Sequence, residues 1–170
     1  MTDEKLSILP EETADLAAVA ALSARSLGPG RFARTAYRVR ERSAAVQGLS
    51  FAAWIGDELI GSIRFTELAI GQETGALLLG PLVIDPRFVS RGCGLALMER
   101  GLNQAREQGH RLVILVGDVE YYERAGFVRC PEGQITLPGP VDPQRILAAE
   151  LEEGALADYR GMARSVQSQG

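Results

Sequence analysis

No stretch of this sequence approaches the roughly 18 uninterrupted apolar residues needed to cross a bilayer. The N-terminal MTDEKLSILPEETADL is acidic and lacks the apolar centre of a signal peptide. These absences predict a cytoplasmic protein with no membrane partner. Cysteine is scarce: Cys93 and Cys130 have neither a repeated spacing nor partnering histidines, so no disulfide framework and no metal site is indicated. A strong charge of either sign is missing too. With 18 basic and 22 acidic residues the net charge is -4 and the pI is near 5.1, which argues against a generic nucleic-acid binder. Internal repeats and low-complexity segments are also absent.

What is there is a chain of 170 residues, 46% hydrophobic, enough for one packed domain and too little for two. The expected domain spans 1–162, and the polar segment 163–170 reads as a disordered tail. Residues 6–9 read as a first strand, and Glu11-Glu12-Thr13 introduces a helix with Leu16, Val19, Ala20 and Leu22 at helical spacing. Gly28-Pro29-Gly30 breaks it, and 31–47 reads as a second helix with an arginine-rich solvated face. Strands over 51–55 and 58–70 meet at Gly56-Asp57, a tight hairpin, and 75–84 is a fourth strand. Leu95, Met98, Leu102 and Ala105 share one face of a helix over 92–108, which Gly109 closes. RLVILV at 111–116 is a buried strand. A short helix over 119–125 follows, then a strand from Gly126-Phe127, a loop or edge strand at 134–137 and a final strand over 145–151. Hairpins first and one strand-helix-strand crossover after them make a mixed α/β sheet.

The chemistry concentrates in 78–97, LLGPLVIDPRFVSRGCGLAL. An apolar strand ends at Asp85-Pro86, a basic loop follows, and Arg91-Gly92-Cys93-Gly94 opens a helix. A helix N-terminus carries unpaired N–H groups and partial positive charge, so such a turn suits phosphate oxygens. Glycines permit close approach, Arg91 adds a guanidinium fork, and Arg87 a second positive charge. Alone, Gly-x-Gly is more often simply the start of a helix. A P-loop needs Gly-Lys-Ser/Thr, and the chain has Gly94-Leu95-Ala96. A Rossmann turn puts its first glycine directly after the strand and a small residue where Leu97 stands. Here residues 85–91 intervene, although Asp118 after RLVILV suits that pattern's acid.

Ile84-Asp85-Pro86, Arg91-Gly92-Cys93-Gly94 and the helix they precede resemble the central motif of the GNAT superfamily of acetyl-CoA-dependent N-acetyltransferases. Tyr122-Glu123-Arg124-Ala125-Gly126-Phe127 resembles the family's downstream Tyr-x-x-x-Gly-Phe element. Leu79-Gly80-Pro81-Leu82, Leu115-Val116-Gly117-Asp118 and Tyr121-Tyr122 look like its bacterial YhbS-like branch. The motifs span about 50–130, and the N-terminal part matches by order alone. The resemblance implies a GNAT fold of the α/β (α+β) class: a mixed, mostly antiparallel central sheet of six or seven strands flanked by helices, with splayed fourth and fifth strands. It also implies acetyl-CoA (coenzyme A) as cofactor. The pyrophosphate would rest on the backbone of Arg91, Gly92, Cys93, Gly94, Leu95 and Ala96, and the pantetheine arm on that of Leu82, Val83 and Ile84. Two catalytic roles are implied: the N–H of Leu82 polarises the thioester carbonyl, and Tyr122 protonates the departing thiolate. A phenol of pKa ~10 is near a thiol, which makes that assignment chemically sensible.

The chain departs from the family pattern in places. Val89 stands where many members carry Gln or Arg, and Leu78 where histone-modifying members carry a glutamate base. Glu67, Glu73 and Asp118 are left as bases acting through water, each more often a surface carboxylate. His110 reads as a solvent-facing turn residue, Tyr121 as core or pocket wall, and Cys93 as a small buried hydrophobe. The implied partner is a small-molecule or protein amine acceptor, with no nucleic acid, and a homodimer is compatible. Arg31, Arg34, Arg38 and Arg40 would suit an acidic acceptor, though a solvated helix face is the plainer reading. The reading from a different class is a non-catalytic acyl-CoA-binding sensor or partner module.

Overall fold

The computed structural model describes residues 5–27 and 45–166. The break at Gly28-Pro29-Gly30, most of the expected second helix and its Arg31, Arg34, Arg38 and Arg40 lie outside the described residues.

β1 (Leu6–Pro10), β2 (Ala45–Ile55), β3 (Glu58–Ile70) and β4 (Glu73–Ile84) pair in sequence as an antiparallel meander. α1 (Leu16–Leu27) follows β1, and α2 (Cys93–Glu107) carries the chain from β4 to β5 (Leu112–Val116). β5 pairs with β4 in parallel, as a strand reached through a helical crossover does. α3 (Val119–Tyr122), β6 (Val128–Arg129), β7 (Ile135–Thr136), β8 (Ile146–Glu150) and β9 (Gly161–Ser165) complete the order. The main sheet path is β1-β2-β3-β4-β5-β8-β6, with β9 attached to β3 and β7 to β9. The expected mixed, mostly antiparallel sheet is therefore present: seven strands lie on the main path, and two short ones are added.

Two expectations need correction. Residues 45–47 begin β2 rather than end a helix. The tail does not begin at 163, because 161–165 form β9. β3 runs four residues past its last β2 partner, Thr66, and β9 pairs with Leu68, Ala69 and Ile70 there. A strand end with unpaired N–H and C=O groups recruits such a segment whatever its polarity.

Alternation along β2 sends Phe51 and Ala53 to one face and Ala52 to the other. On the first face α2 buries Leu97, Met98, Leu102 and Ala105 among Phe51, Ile63, Phe65 and Leu79. On the second, Val19 and Leu22 of α1 meet Ala52, Leu59 and Val83. Fully burying each Leu or Met side chain contributes roughly 1.5–3 kcal/mol, so helix placement follows from these stripes. A further core joins Leu68, Ile70, Leu78, Ile114 and Tyr159. No helix among the described residues is long and apolar enough to cross a membrane.

Candidate active site

β4 and β5 share three residue pairs, Ala76–Leu112, Leu77–Val113 and Leu78–Ile114. Beyond Leu78 the two strands part, each held by its other neighbour. β4 stays on β3 through Leu82, Val83 and Ile84, and β5 stays on β8 to Val116. The β3–β4 register slips between Phe65–Leu79 and Ile63–Leu82, across Gly80-Pro81.

Which β4 groups face the gap follows from the ladder. The Asp85 N–H donates to the Ile60 carbonyl at 2.8 Å. Alternation makes Ser62–Val83 the next hydrogen-bonded pair and turns the N–H and C=O of Leu82 and Ile84 away from β3. The Ser26 hydroxyl, at the end of α1, donates to the Ile84 carbonyl at 3.4 Å, in keeping with that direction. Val83 differs from its neighbours: its backbone is used in the sheet, and it supplies wall rather than free hydrogen-bonding groups.

α2 brings its N-terminus to the same place. Its first intrahelical bond runs from the Ala96 N–H to the Gly92 carbonyl at 3.0 Å. The amides of Gly92 to Leu95 thus keep no backbone acceptor among the described residues, whereas the Ala96 amide, expected to reach phosphate, is used inside the helix. Gly92 is left-handed, φ 83, which turns the chain into the helix. Ser90 is also left-handed, at φ 69.

A cavity of about 460 Å³ lies where these groups meet. Of the expected residues, Leu82, Val83, Ile84, Gly92, Gly94, Leu95 and Tyr122 line it. Arg91 is exposed and does not line it, with its guanidinium 5.4 Å from the centre of the Phe88 ring, and Cys93 is buried in the core. Tyr122 stands against Phe127 with centroids 6.0 Å apart at 72° and fills space that Gly117 leaves open. Sequence reading missed Ser26 and Arg124 as lining residues and left Tyr121 between core and wall; it is wall. The Tyr121 ring crosses that of Tyr122 at 83°, and Arg124 lies 5.1 Å from its centre. Burial pushes the Tyr121 phenol up, with Arg124 partly opposing it.

The charges around the turn are arranged differently from expectation. Arg87 does not offer its charge to the cavity: it pairs with Glu58 and donates to Asp85 from Nε at 3.1 Å and from a terminal nitrogen at 3.0 Å. These bonds hold the Asp85 carboxyl below its ordinary value. Asp85 also caps the turn Pro86–Phe88 and lies 3.8 Å from Arg25 of α1, so it ties the end of β4 to both the loop and the helix.

The candidate bases are elsewhere. Glu67 neighbours His110, at the far end of α2, about 22 Å along the helix from Gly92. Burial lowers the pKa of His110, which is only partly solvent-facing. Asp118 is 74% exposed and meets Arg145 at 3.5 Å. No carboxylate is among the described residues lining the cavity. Taken together, the site offers a free strand edge, unpaired amides at a helix N-terminus and two phenols, a set suited to an extended ligand with an anionic end.

Comparison with known proteins matches residues 16–127 to the model of the Acetyltransferase (GNAT) family. The N-acetyltransferase YhbS of Escherichia coli (strain K12) is 24% identical over 149 residues, which cover 87% of this chain and 89% of that protein. The crystal structure of Escherichia coli YhbS in complex with CoA superposes with a TM-score of 0.82 at 22% identity, covering 98% of this chain and 92% of that one. A GNAT family acetyltransferase from Brucella melitensis, solved with acetyl-CoA, gives a TM-score of 0.64 at 27% identity over 85% of this chain and 96% of its own. A family model matching well over half the sequence, together with the splayed sheet, settles the assignment: the chain belongs to the Acetyltransferase (GNAT) family.

Proposed function

We propose that this protein uses acetyl-CoA to acetylate a primary amine of a small molecule or protein by direct transfer. The carrying observation is the meeting, in one cavity, of the open Leu82–Ile84 edge with the unpaired amides of α2. A strand edge takes an extended amide chain as an added strand, and a helix N-terminus takes phosphate. The two binding modes sit in the order that coenzyme A requires, and the Escherichia coli and Brucella melitensis structures were solved with CoA and acetyl-CoA.

When bound, acetyl-CoA supplies an activated acetyl group as a thioester. The amides of Gly92, Cys93, Gly94 and Leu95 receive the pyrophosphate. The Leu82 N–H, directed into the gap, stabilises negative charge as it develops on the carbonyl oxygen. The acceptor nitrogen attacks the carbonyl carbon, the carbon–sulfur bond breaks, and Tyr122 gives its proton to the sulfur, while the nitrogen's proton leaves to water.

One observation favours a second reading, a non-catalytic acyl-CoA-binding module: no carboxylate is among the described lining residues. Calorimetric titration with acetyl-CoA followed by thiol release over a panel of amines decides between them. Binding with turnover supports the transferase. Binding without turnover on any amine, unchanged by Tyr122→Phe, supports the module, and absence of binding defeats both.

A further inference from the structure

A pyrophosphate carries a negative charge on each phosphate, whereas a helix N-terminus presents roughly half a unit of positive charge, so the amides of α2 neutralise only part of it. The arginines of the turn itself do not supply the rest. Arg87 is taken by Glu58 and Asp85, and Arg91 does not line the cavity. Val89 lines it but offers no polar group.

The missing cation stands on the α3 side. Arg124 is the one positively charged side chain among the described residues that line the cavity, and it is exposed. Among the described residues it forms no ion pair with a carboxylate. Its Nε donates to the Tyr121 carbonyl at 3.4 Å, and its guanidinium lies 5.1 Å from the centre of the Tyr121 ring. Tyr121 in turn stands against α2, with its hydroxyl in the space that a Cβ on Gly94 would need. A single side chain therefore touches both the guanidinium and the start of the helix.

The local backbone fixes these directions. α3 runs into a short 3-10 turn, Glu123–Ala125, and Tyr121 and Arg124, three residues apart, share one face of it. That face looks toward Gly94. Tyr122 takes another direction, against Phe127 and over Gly117. Although only two residues apart, Tyr122 and Arg124 thus serve different parts of the cavity. A planar guanidinium can also grip two phosphate oxygens at once, which a single amide cannot do.

We propose that Arg124 is the side-chain ligand of the cofactor's pyrophosphate, meeting it from the α3 side while the amides of Gly92 to Leu95 hold it from the α2 side. The assignment rests on the coenzyme A reading above and names the residue that balances the charge. Arg124 binds, and no step of the acetyl transfer is given to it.

The test is calorimetric titration of the full chain with three probes. Coenzyme A carries the pyrophosphate and a ribose phosphate, dephospho-coenzyme A keeps only the pyrophosphate, and pantetheine has neither. Because the side chain is exposed, Arg124→Gln keeps the fold. It is expected to weaken coenzyme A and dephospho-coenzyme A by the same factor, about tenfold or more, the size of a lost hydrogen bond to a charged group, and to leave pantetheine unchanged. A loss confined to coenzyme A would put Arg124 on the ribose phosphate and overturn the proposal. An equal loss with pantetheine, the mark of a disturbed wall, would overturn it too, as would no loss at all. If the parent chain binds no coenzyme A, the cofactor reading falls and this assignment with it. If the parent binds and Arg124→Gln binds equally well, only the assignment of Arg124 falls.

Discussion

The Tyr121 hydroxyl stands so close to Gly94 that a Cβ on Gly94 would lie 2.0 Å from it. The second glycine of the turn therefore has a reason inside the protein as well as toward a phosphate: it makes room for a phenol in the cavity wall. Replacing Gly94 with Ala forces Tyr121 aside, and overpacking of this kind costs about 1–3 kcal/mol. In a Tyr121→Phe background the nearest ring atom would be 3.3 Å away, so most of that cost disappears. A double-mutant cycle in urea measures the coupling, and strictly additive costs would contradict the contact.

Gly92 makes a different prediction. Nothing lies within 4 Å of its would-be Cβ, but its φ of 83 is strained for an L side chain, most of all a β-branched one. Gly92→Val is expected to lose about 1–2 kcal/mol of stability while remaining folded. Its affinity for coenzyme A should fall about tenfold or more, because the methyl groups stand over the unpaired amides. Equal affinity in calorimetry would remove the turn from the binding site.

For Tyr122→Phe the expected loss is in turnover. A positioned proton donor contributes about 10²–10⁴-fold, so kcat should fall by that order while the affinity for acetyl-CoA is kept. The ring's contacts with Phe127 and over Gly117 survive the substitution, so the variant should stay folded. An unchanged thiol-release rate would take Tyr122 out of the proton path.

Asp85 gives a pH dependence with a definite sign. Hydrogen bonds from Arg87 hold its carboxyl below the ordinary 3.8, so the folded state binds fewer protons than the unfolded chain in that range. Its contribution is full above 3.8 and is lost as pH falls through the lowered value. Asp85→Asn should be less stable than the parent at neutral pH, and the difference should shrink in acid. Denaturation curves across that range test this, and a difference that grows in acid would reverse the assignment.

Much of this was legible in the sequence because it rests on local chemistry. RLVILV could only be a buried strand, the Leu95–Ala105 stripe fixed the face of α2, and the turn around Gly92 announced its amides. What escaped depends on distant partners. β9 has little apolar pattern of its own and forms because the end of β3 lacks a neighbour. The Tyr121–Gly94 approach joins residues far apart in sequence through a steric fit that composition does not encode. Arg87 looked like a phosphate ligand until Glu58 and Asp85 were seen to hold it. The Glu11–Arg64 pair spans 53 residues, and neither residue carries a motif.

The brief pairing of β4 with β5 has a mechanical consequence. β1 to β4 form one plate and β5, β8 and β6 another, and a single ladder of three residue pairs stitches them, 76–78 with 112–114. A ligand laid along Leu82–Ile84 would add rungs to that seam. Occupancy should then be read in slowed amide hydrogen exchange along that ladder, down to the Ala76–Leu112 pair that the ligand never touches.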